Sequence, residues 1–218
     1  YTLRKYIFSD NKISLALRTG YLRTLFSTWA KNGDISIAAI IAGPTGSALL
    51  KAIKSVSNLI FQFTNYTESF FMSYLERSSL KGNKLTKYLS NKSIILLPFA
   101  LFFSILSYYF SNFFFIVVYK IKLNNIQSLT ISIIFLIAFF VVIFSWVSPL
   151  FLLKNKHKLI MKISFLGTGL TYILFAFAFY INSLIPLYFA LPIGRFTGTI
   201  IGIFLTKKLS LDIVKNRN

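Results

Sequence analysis

Seven ionisable side chains lie within an otherwise apolar stretch of the sequence, residues 13–75. They are Arg18, Arg23, Lys31, Asp34, Lys51, Lys54 and Glu68. The stretch is long enough to cross a membrane twice, since a spanning helix needs about 20 residues. A charge at membrane depth costs roughly 2.5 to 3.5 kcal/mol on insertion scales. Charges persist there where they face a wet cavity, pair with one another or hold a charged ligand, so the pattern indicates a transport site.

The sign of these charges suggests what such a site would bind. Within the predicted membrane spans, seven basic residues stand against two acidic ones. A cavity lined by these residues would be cationic and would suit an anionic cargo. The candidate cargo-binding residues are Arg18, Arg23, Lys31, Lys51, Lys54 and Arg195. Asp34 and Glu68 are candidates for ion coupling or for balancing a nearby positive charge.

Several of these residues also have simpler interpretations. Arg18 is able to extend to the lipid headgroups, and Lys51 lies near the outer end of its span, where its ammonium reaches the interface. Lys31 and Asp34 are three residues apart on one helix face and are able to neutralise each other. The sequence leaves these alternatives open.

Arg195 is the only charge near the middle of the last predicted span. It must find a partner on another helix, such as Asp34 or Glu68, or line water, or meet the cargo. Small residues surround it at intervals of four: Gly194, Gly198 and Gly202. This spacing predicts close helix packing, so we expect Arg195 to face the bundle interior.

The elements that position these residues are predicted to be membrane-spanning helices. The chain has 56% hydrophobic and 13% charged residues, and residues 93–119, 123–153 and 163–194 contain no charge at all. The runs are apolar on every face, which excludes the alternation of a β-barrel strand. The predicted fold is a bundle of six transmembrane helices, at about 14–42, 47–75, 93–119, 127–152, 159–181 and 184–206.

Loop charges predict the orientation of this bundle. Fifteen of the 24 Lys and Arg residues fall on one side of the predicted spans, and only Lys120 and Lys122 fall on the other. Because basic loops stay in the cytoplasm, both ends of the segment are predicted to be cytoplasmic, in a multi-pass membrane protein.

Composition and motifs exclude several other functions. The net charge of +19 lies in loops of a membrane protein and not on a soluble nucleic-acid-binding face. There is no cysteine, hence no disulfide or thiolate metal site, and His157 is a lone histidine in a Lys-rich loop. No nucleotide-binding loop or catalytic constellation appears. We therefore expect no enzyme activity, catalytic residue, metal, cofactor or nucleic-acid partner.

Residues 18–54 resemble a known family. Asp34 ends a long helix, an apolar stretch and a Gly43-Pro44 turn follow, and the next helix opens with Leu50-Lys51. This order is similar to the start of the second half of the bacterial polysaccharide (O-antigen, Wzx-type) flippases of the multidrug/oligosaccharidyl-lipid/polysaccharide exporter superfamily. Leu49-Leu50 depart from the Gly-x-Tyr of many members. Residues 149–208 fit the family more generally.

The resemblance implies both an architecture and a function. The family has two six-helix bundles facing a central cavity, so this chain would be the C-terminal bundle, and its opening on Tyr1 rather than Met suggests a fragment whose N-terminal half is the expected partner. The implied function is to move an undecaprenyl-diphosphate-linked sugar repeat across the bacterial cytoplasmic (inner) membrane. The repeat would serve the assembly of lipopolysaccharide O-antigen or another surface polysaccharide. Membrane lipids and the polysaccharide polymerase machinery are the other partners implied.

Three alternatives remain open at this point. A multidrug or small-molecule antiporter of the same superfamily would favour acidic groups in its cavity. A polymerase or glycosyltransferase of the same pathway would need larger loops than residues 76–92, the longest here. A structural or channel-forming subunit is the third.

Overall fold

The computed structural model describes residues 11–78, 83–154 and 156–215, with side chains described for residue 21 and for residues 33–78, 84–154 and 156–206. Within these ranges the chain is helical and contains no strand, which confirms the predicted all-helical class for the described part. The helices are α1 (Asn11–Arg77), α2 (Asn83–Tyr119), α3 (Asn125–Ile143), α4 (Val147–Leu153), α5 (His157–Tyr180) and α6 (Ile185–Lys215).

Helix α1 is not a straight rod, because the chain reverses direction at Gly43. Gly43 has φ 64° and ψ −164°, a conformation that glycine adopts at low cost, and Pro44 is preorganised to start the next helix. The Lys54 ammonium lies 2.6 Å from the Asp34 carboxylate, whereas a straight helix would separate residues 34 and 54 by about 30 Å. α1 therefore consists of a first arm, residues 11–42, folded back on a second arm, residues 44–77.

Five segments of the described residues are long and apolar enough to cross a membrane. They are Gly33–Arg77, Lys84–Tyr119, Asn125–Leu153, His157–Tyr180 and Ile185–Thr206. The predicted count of six is not matched. The first two predicted spans, 14–42 and 47–75, belong to one helical element, and most of the first arm precedes the continuous run of described side chains. By helix length and composition, the chain is a multi-pass membrane protein.

Two predicted boundaries differ from the structure for identifiable reasons. Helix α2 begins at Asn83 and not at 93, because Leu85 and Leu89, one turn apart in a polar segment, bury their side chains. The predicted helix 127–152 is interrupted between α3 and α4. The interruption lies just before Pro149, whose ring cannot sit in the middle of a continuous helix without removing a hydrogen bond.

Buried polar contacts stabilise the interruption between α3 and α4. The Trp146 indole Nε1 donates to Ser93 Oγ at 2.9 Å, and Ser93 Oγ donates to the Ile143 carbonyl at 3.2 Å. Ser145 Oγ donates to Thr67 Oγ1 at 2.8 Å. These bonds tie the interruption to α2 and to the second arm of α1, so a carbonyl that α3 leaves without a helical partner is satisfied.

The outer surface of the bundle is apolar over most of its area. Large exposed side chains include Phe102, Phe110 and Phe113 on α2, Ile173 on α5 and Phe204 on α6. A soluble protein seldom exposes so many neighbouring apolar groups. These faces suit contact with lipid.

Helices α5 and α6 cross at a contact between glycines. A methyl group added at Gly167 would overlap the carbonyl oxygen of Gly194, and one added at Gly194 would overlap Thr171 and the Gly167 carbonyl. The Thr171 hydroxyl lies 3.1 Å from the Ala190 carbonyl of α6. The glycines therefore allow the two backbones to meet, and this contact positions Arg195, the next residue on α6.

We predict that Gly167→Ala lowers the free energy of unfolding by about 1 to 3 kcal/mol, because overpacking forces the two helix backbones apart. The midpoint of thermal unfolding of the purified protein in detergent measures this effect. Gly169→Ala is the matched control, since its methyl group would meet no atom within 4 Å and alanine favours helix. Equal midpoints for the two variants would contradict the packing argument.

Candidate functional site

The first group of buried polar residues is an ion pair between the two arms of α1. Lys54 Nζ lies 2.6 Å and 2.7 Å from the two carboxylate oxygens of Asp34, and the side chains are 11% and 2% exposed respectively. The backbone N–H of Ile35 also donates to Asp34 Oδ1 at 2.8 Å. Each charge thus has a close polar partner in an apolar setting, as membrane depth demands.

This pairing changes what Lys54 is able to do. Its ammonium faces a carboxylate of opposite charge, so it adds no net positive charge toward a cargo in this arrangement. The ion pair joins the two arms at a point several residues away from the Gly43 reversal on each arm. It fixes how closely the arms pack there. Asp34 and Lys54 therefore hold the helical hairpin together.

We predict that Asp34→Asn destabilises the protein strongly, by roughly 3 to 5 kcal/mol, because the Lys54 ammonium remains buried without its counter-charge. The double variant Asp34→Leu/Lys54→Met should recover most of that loss, since no buried charge remains. Abundance in the membrane and thermal unfolding in detergent would report both effects. Lys51→Met is the control at an exposed lysine of the same arm. An Asp34→Asn variant as stable as the wild type would refute the pairing.

The second group lines a cavity between the second arm of α1 and helices α3 to α6, here called the polar cavity. Its volume is about 350 Å³. Ten polar side chains line it: Thr64, Asn65, Glu68, Ser145, Ser148, Ser164, Thr168, Thr171, Arg195 and Thr199. The glycines of the α5–α6 crossing form part of its wall. Eight of these ten side chains are uncharged, so the lining is polar with little net charge.

Arg195 and Glu68 are the charged residues of this lining. The Arg195 guanidinium carbon lies 4.3 Å from the centre of the Phe61 ring, a cation–π contact that restrains the side chain while leaving its N–H groups free to point elsewhere. The negative charge of Glu68 is close enough to act on Arg195 electrostatically. The two charges oppose each other, so the polar cavity has no excess of positive charge from its described lining.

The polar cavity lies toward one end of the bundle. Five of its six α5 residues belong to the first half of that helix, and α4 contributes residues close to the loop at 154–156. This is the end at which the basic loops lie, the side predicted to be cytoplasmic.

Lys154 belongs to that basic loop and lies just outside the membrane-spanning segments. Burial, more than the neighbouring positive charge of Lys156, lowers the pKa of the Lys154 amine. Lys156 and Lys158 are exposed. Lys156 and Lys158 therefore present their ammonium groups on the surface, whereas Lys154 is partly buried.

A third polar feature lies on the outside of the bundle, along the second arm of α1. At 100° per residue, a band about 80° wide contains Lys51, Ser55, Asn58, Gln62, Asn65, Ser69 and Ser73, here called the polar stripe. Its residues are exposed, apart from the partly buried Asn58. The serines donate to carbonyls of their own helix, so the groups that still need polar surroundings are Lys51 and the three amides.

The sequence-predicted residues thus separate in space. Lys54 and Asp34 form one pair, Arg195 and Glu68 share the polar cavity, and Lys51 is exposed on the polar stripe. The remaining candidates have side chains outside the described residues: Arg18, Arg23 and Lys31. The structure therefore does not bring the six predicted basic residues into one described cavity.

Sequence reasoning missed the hydroxyl residues of the polar cavity. One face of α5 carries hydroxyl side chains at the i, i+4, i+7 spacing, namely Ser164, Thr168 and Thr171, with Gly167 on the same face. Serine and threonine are common in membrane helices, where they bond to their own backbone. The spacing is a signal, but only the positions of α1 and α6 show that it faces a cavity.

The described residues contain no group of three or more His, Cys, Asp or Glu residues placed to hold a metal ion. No family model, curated protein or solved structure matches this chain. The resemblance over residues 18–54 therefore stays a prediction, and function has to be argued from the geometry.

Proposed function

We propose that this chain is one helical bundle of a membrane transporter that moves an anionic lipid-linked oligosaccharide, an undecaprenyl-diphosphate-linked repeat unit, to the outer leaflet for surface polysaccharide assembly. The observation that supports a transporter most strongly is the polar stripe. Its amides lie at membrane depth on the outside of the bundle, where lipid would leave their hydrogen-bonding groups unsatisfied.

A polar stripe on the outer face of a membrane helix needs water or another polar protein surface against it. An anchor or a structural subunit has no need of such a face. The wall of a translocation pathway does, because a hydrophilic cargo must pass along it. The exposed amides of Gln62 and Asn65 thus favour a carrier that works with a second bundle across an aqueous pathway.

The chemistry of the bundle also suits the proposed cargo. Arg195 offers several N–H donors to oxygen atoms of the cargo, and the hydroxyls of the polar cavity suit a sugar. The candidates for binding the diphosphate are Lys51 on the polar stripe and the first-arm residues Arg18, Arg23 and Lys31. The resemblance of residues 18–54 to the polysaccharide flippases supports the same cargo.

We predict that replacing two stripe amides, in the variant Asn58→Leu/Gln62→Leu, abolishes most surface polysaccharide while membrane abundance stays normal. The apolar side chains would repel cargo and water but would suit the bilayer. Ser55→Ala is the matched control on the same stripe, because that hydroxyl donates to Lys51 within its own helix. Immunoblots of membranes and gels of the polysaccharide give both readouts. Full polysaccharide display by the double variant would count against the pathway.

The proposed topology places both ends of the segment and the basic loops in the cytoplasm, with six spans once the first arm also crosses. Because the chain contains no cysteine, single cysteines test it directly. We predict that a membrane-impermeant thiol reagent added outside labels Lys122→Cys and spares Lys156→Cys until the membrane is opened. Both positions are exposed, so the reverse labelling pattern would overturn the topology.

Glu68 favours a second candidate, an antiporter of cationic small molecules, since a carboxylate in the polar cavity suits a positive ligand. The variant Glu68→Gln separates the two functions. A cation antiporter would lose resistance to lipophilic cations and keep surface polysaccharide. An oligosaccharide carrier would show no change in that resistance.

A further inference from the structure

Several hydroxyls of the polar cavity present acceptor oxygens to whatever occupies it. A hydroxyl has one hydrogen to donate, and several of these hydrogens have carbonyl or hydroxyl partners within the protein. Thr171 Oγ1 lies 3.1 Å from each of two helix carbonyls, Thr199 Oγ1 donates to the Arg195 carbonyl at 3.0 Å, and Ser145 Oγ donates to Thr67. Toward the cavity these oxygens are able only to accept.

Thr64 adds a hydroxyl that the protein itself leaves unbonded, which is able both to donate and to accept. The residue is 7% exposed, and its Oγ1 has no hydrogen-bond partner among the described residues. A buried hydroxyl without a partner is costly, so it marks a place where a ligand would bond. Glu68 lies one helical turn further along the same arm and adds two carboxylate oxygens to the same wall.

The size and charge of the cavity select among ligands that donate hydrogen bonds. A volume of about 350 Å³ far exceeds the needs of a bare ion and lies within the range of small-molecule sites. Arg195 opposes binding of a cation, and Glu68 opposes binding of an anion. The ligand that fits best is therefore uncharged, has several hydroxyl donors and is about the size of one sugar ring.

We propose that the polar cavity binds one neutral sugar unit of hexose size. The sugar hydroxyls donate to Thr64 Oγ1, to the Glu68 carboxylate and to the threonine oxygens of α5, while Arg195 N–H groups donate back to sugar oxygens. Asn65 belongs both to the cavity and to the polar stripe, so the sugar enters from that side. That the sugar belongs to the transported cargo rests on the proposed function; that the cavity binds a sugar does not.

The test measures binding of methyl α-glucoside and of methyl N-acetylglucosaminide to the complete protein, purified in detergent, by saturation-transfer NMR titration. We expect saturable binding of at least one glycoside. Thr64→Val should weaken it by about fivefold or more, because it removes a buried hydroxyl partner. Glu68→Gln should weaken it by a similar factor, because it removes the charge and replaces one carboxylate acceptor by an amide donor. Thr130→Val should leave the affinity within twofold, because that buried hydroxyl donates to Ile126 within α3 at 2.8 Å, away from the cavity.

Several results would overturn the inference. The first is that folded protein binds neither glycoside. The second is that Thr64→Val and Glu68→Gln leave the affinity unchanged. The third is that Thr130→Val weakens binding as much as Thr64→Val does. Displacement of the bound glycoside by millimolar sodium chloride or inorganic phosphate would point instead to an ion site. Polysaccharide display is a separate readout. Suppose that the purified protein binds a glycoside but that cells lacking the protein still display surface polysaccharide. The sugar site would then be supported and the proposed transport rejected.

Discussion

A polar group within the hydrocarbon of a membrane must find a polar partner in the protein, since lipid offers none. Most polar groups of this chain meet the demand locally. Serines of α1 donate to carbonyls one turn earlier, and Ser104 and Ser132 each donate to the other's carbonyl across α2 and α3, at 2.8 and 2.7 Å. Asp34 and Lys54 are each other's polar partner, as an ion pair. Packing, helix reversal and the position of the cavity all follow from arranging these partners.

Where this demand is not met within the bundle, function is indicated. The amides of Gln62 and Asn65 on the polar stripe are exposed on a membrane helix, and Thr64 Oγ1 is buried without a partner among the described residues. The two places meet at Asn65, which belongs to both surfaces. A hydrophilic pathway that passes the mouth of a hydroxyl-lined cavity would satisfy both sets of groups at once. An apolar membrane anchor would leave both unsatisfied.

The sequence predicted local features better than pairings between distant residues. The turn at Gly43-Pro44 was predictable from glycine's tolerance of positive φ, and α3 and α5 were predictable from uncharged runs long enough to span. Lys31, three residues away, was one candidate partner of Asp34, but the Asp34 carboxylate pairs with Lys54, because the reversal at Gly43 brings the two arms face to face. No periodicity encodes that contact. The hydroxyls of α5 were visible in the sequence, but their partners on other helices were not.

The inward-facing charges cancel in pairs, Asp34 with Lys54 and Glu68 with Arg195, so the positive charge of the spans is concentrated elsewhere. In the described part of the chain it lies on exposed lysines, Lys51 of the polar stripe and Lys162 of α5. The proposed cargo, a lipid-linked oligosaccharide, is divided in the same way, into a charged diphosphate and uncharged sugars. A cavity that is lined by hydroxyls and has no excess charge suits the sugars better than the diphosphate. Lys51 would then be left for the diphosphate, which would let one bundle recognise both parts of the proposed cargo.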